Sequence, residues 1–168
     1  MTVDNPSPLS YLLYMRDAFA LDVVRDVPRC SPPVASVVTT GLTPPVTGAE
    51  VERTWASAIV NPYAVEVLDA VGRLLLATPA DVQEALRVWK NSRTDEIVAV
   101  GRDLRTSPSW QLQELILDVA GGDSADIRLL PVADDYFRVD GQLLTVGLGL
   151  YLDIAKFRTV LRDAGGRK

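Results

Sequence analysis

The sequence predicts a mixed α/β fold: a helical N-terminal half, residues 1–92, joined with a small mixed β-sheet from residues 93–168. Three observations carry that expectation. Ile97–Val100, a helical pattern over Pro108–Ala120 and Ile127–Leu130 together read as strand, crossover helix and parallel strand. Asp140-Gly141 lies between two apolar strand patterns, which signals a hairpin. Residues 47–91 carry three helical periods in succession. A chain of 168 residues, 48% of them hydrophobic, has enough apolar content for one domain's core, and the two regions are expected to form one domain together.

Met1–Pro8 reads as a polar, Pro-containing lead-in expected to fray. A helix capped by Ser7 or Ser10 then runs to about Val24, with Leu9, Leu12, Leu13, Phe19 and Val23 on its apolar side. Tyr11, Tyr14 and Met15 widen that stripe. A helix apolar over so much of its girth is either well buried or set at a subunit contact.

Residues 27–46 hold Pro28, Pro32, Pro33, Pro44 and Pro45 and read as a Pro-rich connector. The β-branched run Val34–Thr40 inside it has the character of an edge strand. Thr47-Gly48-Ala49-Glu50 fits a capping box. The helix behind it carries Val51, Trp55, Ala58 and Ile59 on one face and ends at Asn61-Pro62. A second helix spans Tyr63–Ala77, with Val67, Leu68, Val71, Leu74 and Leu75 inward. Thr78-Pro79 starts a third, whose stripe is Val82, Ala85, Leu86 and Trp89. Trp55, Trp89 and Trp110 all fall in helical stripes and are expected in the core.

Gly121-Gly122 ends the crossover helix, and Asp134-Asp135 mark a polar break after the second strand. Strands Tyr136–Val139 and Gln142–Val146 flank the Asp140-Gly141 turn. Gly147-Leu148-Gly149 lets the chain leave the sheet, and a last helix, Leu152–Ala164, closes on Gly165-Gly166.

Composition bounds the chemistry. Histidine is absent and Cys30 is alone. Structural zinc sites, Ser-His-Asp triads and Cys-His pairs are therefore excluded within a single chain. No catalytic residue, no metal ligand set and no cofactor motif is indicated; Gly-x-Gly-x-x-Gly and Gly-Lys-Thr are both missing. The net charge is −5 and no third of the chain is basic, so nucleic acid is a disfavoured partner. A single Cys, no basic-apolar leader and no bilayer-length apolar run make a cytoplasmic protein off the membrane the expectation. Fourteen arginines against three lysines point to a GC-rich bacterial genome.

The one local candidate for a binding site is the loop Gly101–Ser107. Ligands collect beyond the carboxyl ends of parallel strands, where the next helix directs free N–H groups. Arg102, Arg105, Thr106 and Ser107 there would hold a phosphate or carboxylate, with charge-assisted bonds from the arginines. Asp134 and Asp135, as neighbours on an extended chain, point to opposite faces and serve solvation better than joint catalysis.

From about Arg93 onward the pieces just described have a further feature. Asp140 and Gly147 stand seven apart, in a hairpin reading Val139-Asp140-Gly141, followed by an apolar strand and a helix with aromatic residues. In this the segment resembles the phospholipase-D-like fold. That family places a His, then a Lys two residues on, an Asp five further and a Gly seven beyond. Ala133 and Asp135 stand at the His and Lys positions here, and Leu148 and Leu150 replace the usual Ser and Asn. The resemblance therefore implies a catalytically inactive copy, of the kind that serves bacterial regulators as a sensing or dimerising part.

Three function classes follow. The first is a non-enzymatic regulatory or interaction domain, forming a homodimer or binding another protein or a small anionic ligand. The second is a histidine-free enzyme using Asp or Tyr with the Arg102/Arg105 loop on a phosphate- or carboxylate-bearing substrate. The third is a DNA-binding regulator reading through Gln83, Arg87 and Lys90.

Overall fold

The computed structural model describes residues 2–37, 46–92, 110–133 and 135–166. The fold is mixed α/β, with helices mostly in the N-terminal half and a four-stranded mixed sheet. The expected strand Ile97–Val100, the loop Gly101–Ser107, Asp134 and the latter part of Val34–Thr40 lie outside the described residues; residues 34–37 form no strand. The chain divides into two compact units: Pro6–Ser92, and Met1–Asn5 with Arg93–Lys168.

The helical unit is built on α1 (Ser7–Ala18), α2 (Gly48–Ala58), α3 (Val65–Ala77) and α4 (residues 80–92). Neither serine caps α1. Pro6 holds the N-cap position and Pro8 sits in the first turn, where its missing N–H leaves nothing orphaned. The wide apolar girth of α1 is covered: Leu9, Leu12, Leu13, Tyr14 and Met15 are all buried. Burial, the first of the two readings of such a helix, is the one realised.

Helix α1 ends at Ala18, six residues before the expected Val24, and the cause is a buried arginine. Arg16 is 1% exposed. Its Nη1 donates to the carbonyls of Val24 (3.2 Å) and Val27 (2.7 Å), and its Nη2 to that of Pro28 (2.7 Å). Those carbonyls reach it only because the chain doubles back, with Ala20 and Val24 at φ 49° and 51°. Left-handed backbone is costly for residues with a side chain, and most so for a β-branched valine. A charge as deep as Arg16 must be satisfied, and the turn supplies the acceptors. Asp17 completes the cluster, accepting from Arg16 Nε (2.7 Å), Arg29 Nη1 (2.8 Å) and the Cys30 amide (2.6 Å).

The α/β unit carries β1 (Thr2–Asp4), α5 (Trp110–Ala120), β2 (Asp126–Leu130), β3 (Phe137–Asp140), β4 (Leu143–Gly147), α6 (Leu148–Leu152) and α7 (Ile154–Gly165). Sheet order is β1-β2-β4-β3; β2 is parallel to both its neighbours, and β3 and β4 form the antiparallel hairpin. The N-terminus is therefore an edge strand and not a frayed lead-in. Val3 pairs with Ile127, and the Thr2 hydroxyl bonds the Asp126 carboxylate.

The hairpin turn is one residue later than expected. Asp140 pairs with Leu143, so Gly141-Gln142 form the two-residue loop. Only Gly141 has positive φ, at 59°. That matches a type II′ turn with glycine first, not the type I′ turn expected of Asp-Gly. At the other end of β4, a Cβ on Gly147 would lie 2.5 Å from the Ala133 carbonyl oxygen, so only glycine fits the close approach. The core of this unit joins Leu112 and Ile116 of α5, Ile127 and Leu129 of β2, Leu144 and Val146 of β4, and Phe157 and Leu161 of α7. Tyr151 and Phe137 pack their rings against Phe157 at 5.6 and 6.4 Å. Trp55 and Trp89 are buried as expected, but Trp110 is 65% exposed at the start of α5.

Candidate functional site

The local sequence around α2 and α3 sets up an unusual surface. The capping box forms: Thr47 Oγ1 accepts from the Glu50 amide (3.3 Å), and Glu50 Oε2 accepts from the Thr47 amide (3.0 Å). That fixes the start of α2, which buries Val51, Trp55 and Ala58. At the corner Asn61 Oδ1 accepts from the Tyr63 amide (3.2 Å), and α3 begins at Val65. Helix α3 packs on α1 and α2 through Val67, Val71 and Leu74.

The opposite side of α3 is also apolar, and it is bare. Val65 is 72% exposed, Leu68 46% and Leu76 84%. At 100° per residue these three and Gly72 fall within about 80° of arc, a single straight stripe. A Cβ built on Gly72 meets nothing within 4 Å. Val60 and Tyr63 extend the patch past the corner. Five of the nine large apolar side chains that the described residues leave exposed thus belong to this one region. Exposed apolar groups scattered singly are ordinary; several aligned along one helix set this region apart.

Charged groups border the stripe. Asp69 and Arg73, one turn apart, run along one margin, and neither makes an ion pair among the described residues. A cleft of about 350 Å³ lies between α2 and α3, with Arg53, Arg73, Ala70 and Leu74 among the residues that line it. Its polar neighbours are already engaged: Glu50 with Thr47, and Thr54 Oγ1 with the Glu50 carbonyl at 2.8 Å. Hydrogen bonds from Thr47 hold the Glu50 carboxyl below its ordinary pKa, so it stays charged.

The chain matches no known protein family, no curated protein and no solved structure.

The sequence-derived candidates fare differently. Arg102, Arg105, Thr106 and Ser107 lie outside the described residues. Gln83, Arg87 and Lys90, the groups proposed to read DNA, each bond another group of the chain. Gln83 Nε2 donates to the Leu75 and Thr78 carbonyls (3.0 and 2.7 Å). Arg87 is paired with Glu84, and Lys90 Nζ donates to the Tyr11 hydroxyl at 2.9 Å. Cys30 is buried, and desolvation together with the Asp17 charge pushes its thiol pKa far up, which leaves it a poor nucleophile. Among the described residues no group of His, Cys, Asp and Glu is arranged to hold a metal ion, and no helix is long and apolar enough to cross a membrane.

Sequence reasoning placed Leu68 inward, where the structure exposes it, and passed over Val65, Gly72 and Leu76; Leu75, also placed inward, is half-buried. The signal was present: α3 is apolar around most of its circumference, as α1 is, and only Glu66, Asp69 and Arg73 break it. A helix of that kind is ordinarily covered all round, and here one side is not.

Proposed function

We propose that this chain is a non-enzymatic interaction domain that docks a protein partner through the bare face of α3. The observation that carries the reading is the stripe Val65, Leu68 and Leu76, exposed on a helix whose other side is core. Leaving such side chains in water forgoes about 1.5–3 kcal/mol for each one that a partner would bury completely. The resemblance of the C-terminal segment to an inactive phospholipase-D-like copy fits the same reading, since Ala133 and Asp135 occupy the positions of its catalytic His and Lys.

A photo-crosslinking amino acid at position 76, compared with one at exposed Thr159 on α7, tests the proposal in cells making the full chain. The expected result is a discrete intermolecular adduct from position 76 alone, lost when Leu68→Arg is added. Adducts from neither site, or only an intrachain one, overturn it.

A further inference from the structure

We infer that the partner is a second copy of this chain, with α3 packed antiparallel on α3 across a two-fold axis. The inference rests on the reading of α3 as a docking face and names what docks there.

Self-complementarity is written along the helix. The stripe runs from Val65 to Leu76, so its centre lies between residues 70 and 71. Asp69 and Arg73 on its margin are centred on residue 71. At 1.5 Å of rise per residue the two centres agree within about 1 Å. Turning a second helix antiparallel about that point therefore does two things at once. It lays Val65 of each copy toward Leu76 of the other, and it brings Asp69 of each copy level with Arg73 of the other. A two-fold axis perpendicular to both helices keeps that margin on one side of the pair, so both charge pairs form together.

The monomer leaves the parts for this unspent. Asp69 and Arg73 stand at i, i+4 in the favourable acid-first order, yet they make no ion pair with each other. Gly72 sits one residue from the centre with open space where a Cβ would be, which lets two backbones approach closely. A parallel pair would carry the two charged margins to opposite sides and form neither charge pair.

Complementary charge reversal on the full chain tests this by sedimentation equilibrium. The unaltered chain is expected to be a dimer. Asp69→Arg and Arg73→Asp each place two like-charged pairs across the axis and should weaken association roughly tenfold or more. An equimolar mixture of the two variants should recover dimerisation. One chain then presents two positive charges and the other two negative ones, so both contacts across the axis are again between opposite signs. The double variant, with acid and base exchanged in one chain, should recover association as a homodimer. Both positions are on the surface, so thermal melts should show each variant folded. A chain that stays monomeric at high concentration, or a mixture no better than its components, overturns the inference. Monomer together with a position-76 adduct to a different protein removes self-pairing and leaves the docking face standing; monomer with no adduct removes both.

Discussion

Arg16 Nε lies 2.7 Å from Asp17 Oδ1, and both side chains are almost fully withdrawn from water. Adjacent residues on a helix do not normally face each other. They meet here because α1 stops one residue later and the returning chain wraps both groups, with carbonyls for the guanidinium and the Cys30 amide for the carboxylate. The cluster is the knot that ties the segment after α1 to the helical unit.

Removing Arg16 should be severe. Arg16→Ala leaves the Asp17 charge half-satisfied and frees the carbonyls of Val24, Val27 and Pro28 in the interior. Breaking a buried pair by taking one partner away costs about 3–5 kcal/mol. Urea unfolding should show a stability loss of that size, and Arg16→Lys should recover only part, since an ammonium cannot span the same fork of acceptors. A change below about 1 kcal/mol would mean that the bend holds itself without the arginine.

The same cluster gives stability a pH dependence of known sign. Burial pushes the Asp17 carboxyl up, but hydrogen bonds from Arg16, the Cys30 amide and Arg29 outweigh it and hold the pKa below its ordinary 3.8. A carboxyl depressed in the fold contributes stability that is present above its unfolded pKa and lost as pH falls through the folded one. Melting temperatures should therefore drop below about pH 4, and Asp17→Asn should flatten that part of the profile while lowering the plateau. Parallel acid limbs for the two proteins would place the acid sensitivity elsewhere.

Features that depend on neighbouring residues were legible in the sequence, and features that depend on distant ones were not. The Thr47–Glu50 capping box and the stop at Gly121 need only a few consecutive residues, and both formed as read. The hairpin was read correctly, but its turn slipped by one because glycine takes the first loop position, whereas Asp-Gly statistics put it second. Strand β1 escaped notice because three residues at the N-terminus pair with a strand more than a hundred positions away. Nothing local marks Arg16 as buried, since its acceptors are brought by a bend that no sequence pattern announces. On α3, periodicity marked which residues are apolar but could not say which of them the unit leaves uncovered. The loop containing Arg102 and Arg105 was the sharpest sequence candidate, whereas the site that the structure offers lies on a helix read as ordinary core.

The exit from β4 should tolerate no side chain. Gly147→Ala would set its Cβ 2.5 Å from the Ala133 carbonyl oxygen, a backbone atom with no rotamer to yield. The Gly147 amide also donates to the Tyr136 carbonyl at 2.8 Å, so moving the strand aside breaks a bond as well. Overpacking of this kind costs about 1–3 kcal/mol. Thermal unfolding should show the loss for Gly147→Ala. Gln142→Ala, at an exposed turn position without such a clash, should cost less.

Gly72 provides a change with opposite signs in the two states of the chain. Within α3 it has helical neighbours and no contact at its Cβ position, so Gly72→Ala gains helix propensity without a clash. An alanine in an exposed helix interior is more stable than glycine by about 0.5–1 kcal/mol, largely because the unfolded chain loses freedom. Measured at concentrations low enough to keep the chain monomeric, unfolding should shift upward by that amount. In the antiparallel pair the same methyl group stands near the crossing of the two helices and holds them apart, so association should weaken as stability rises. A bulkier Gly72→Leu should push the effect further, raising the dissociation constant again while leaving the monomer folded. Stability and self-association moving upward together would show that α3 makes its contacts away from Gly72, and would shift the crossing toward the Val60–Tyr63 end of the patch.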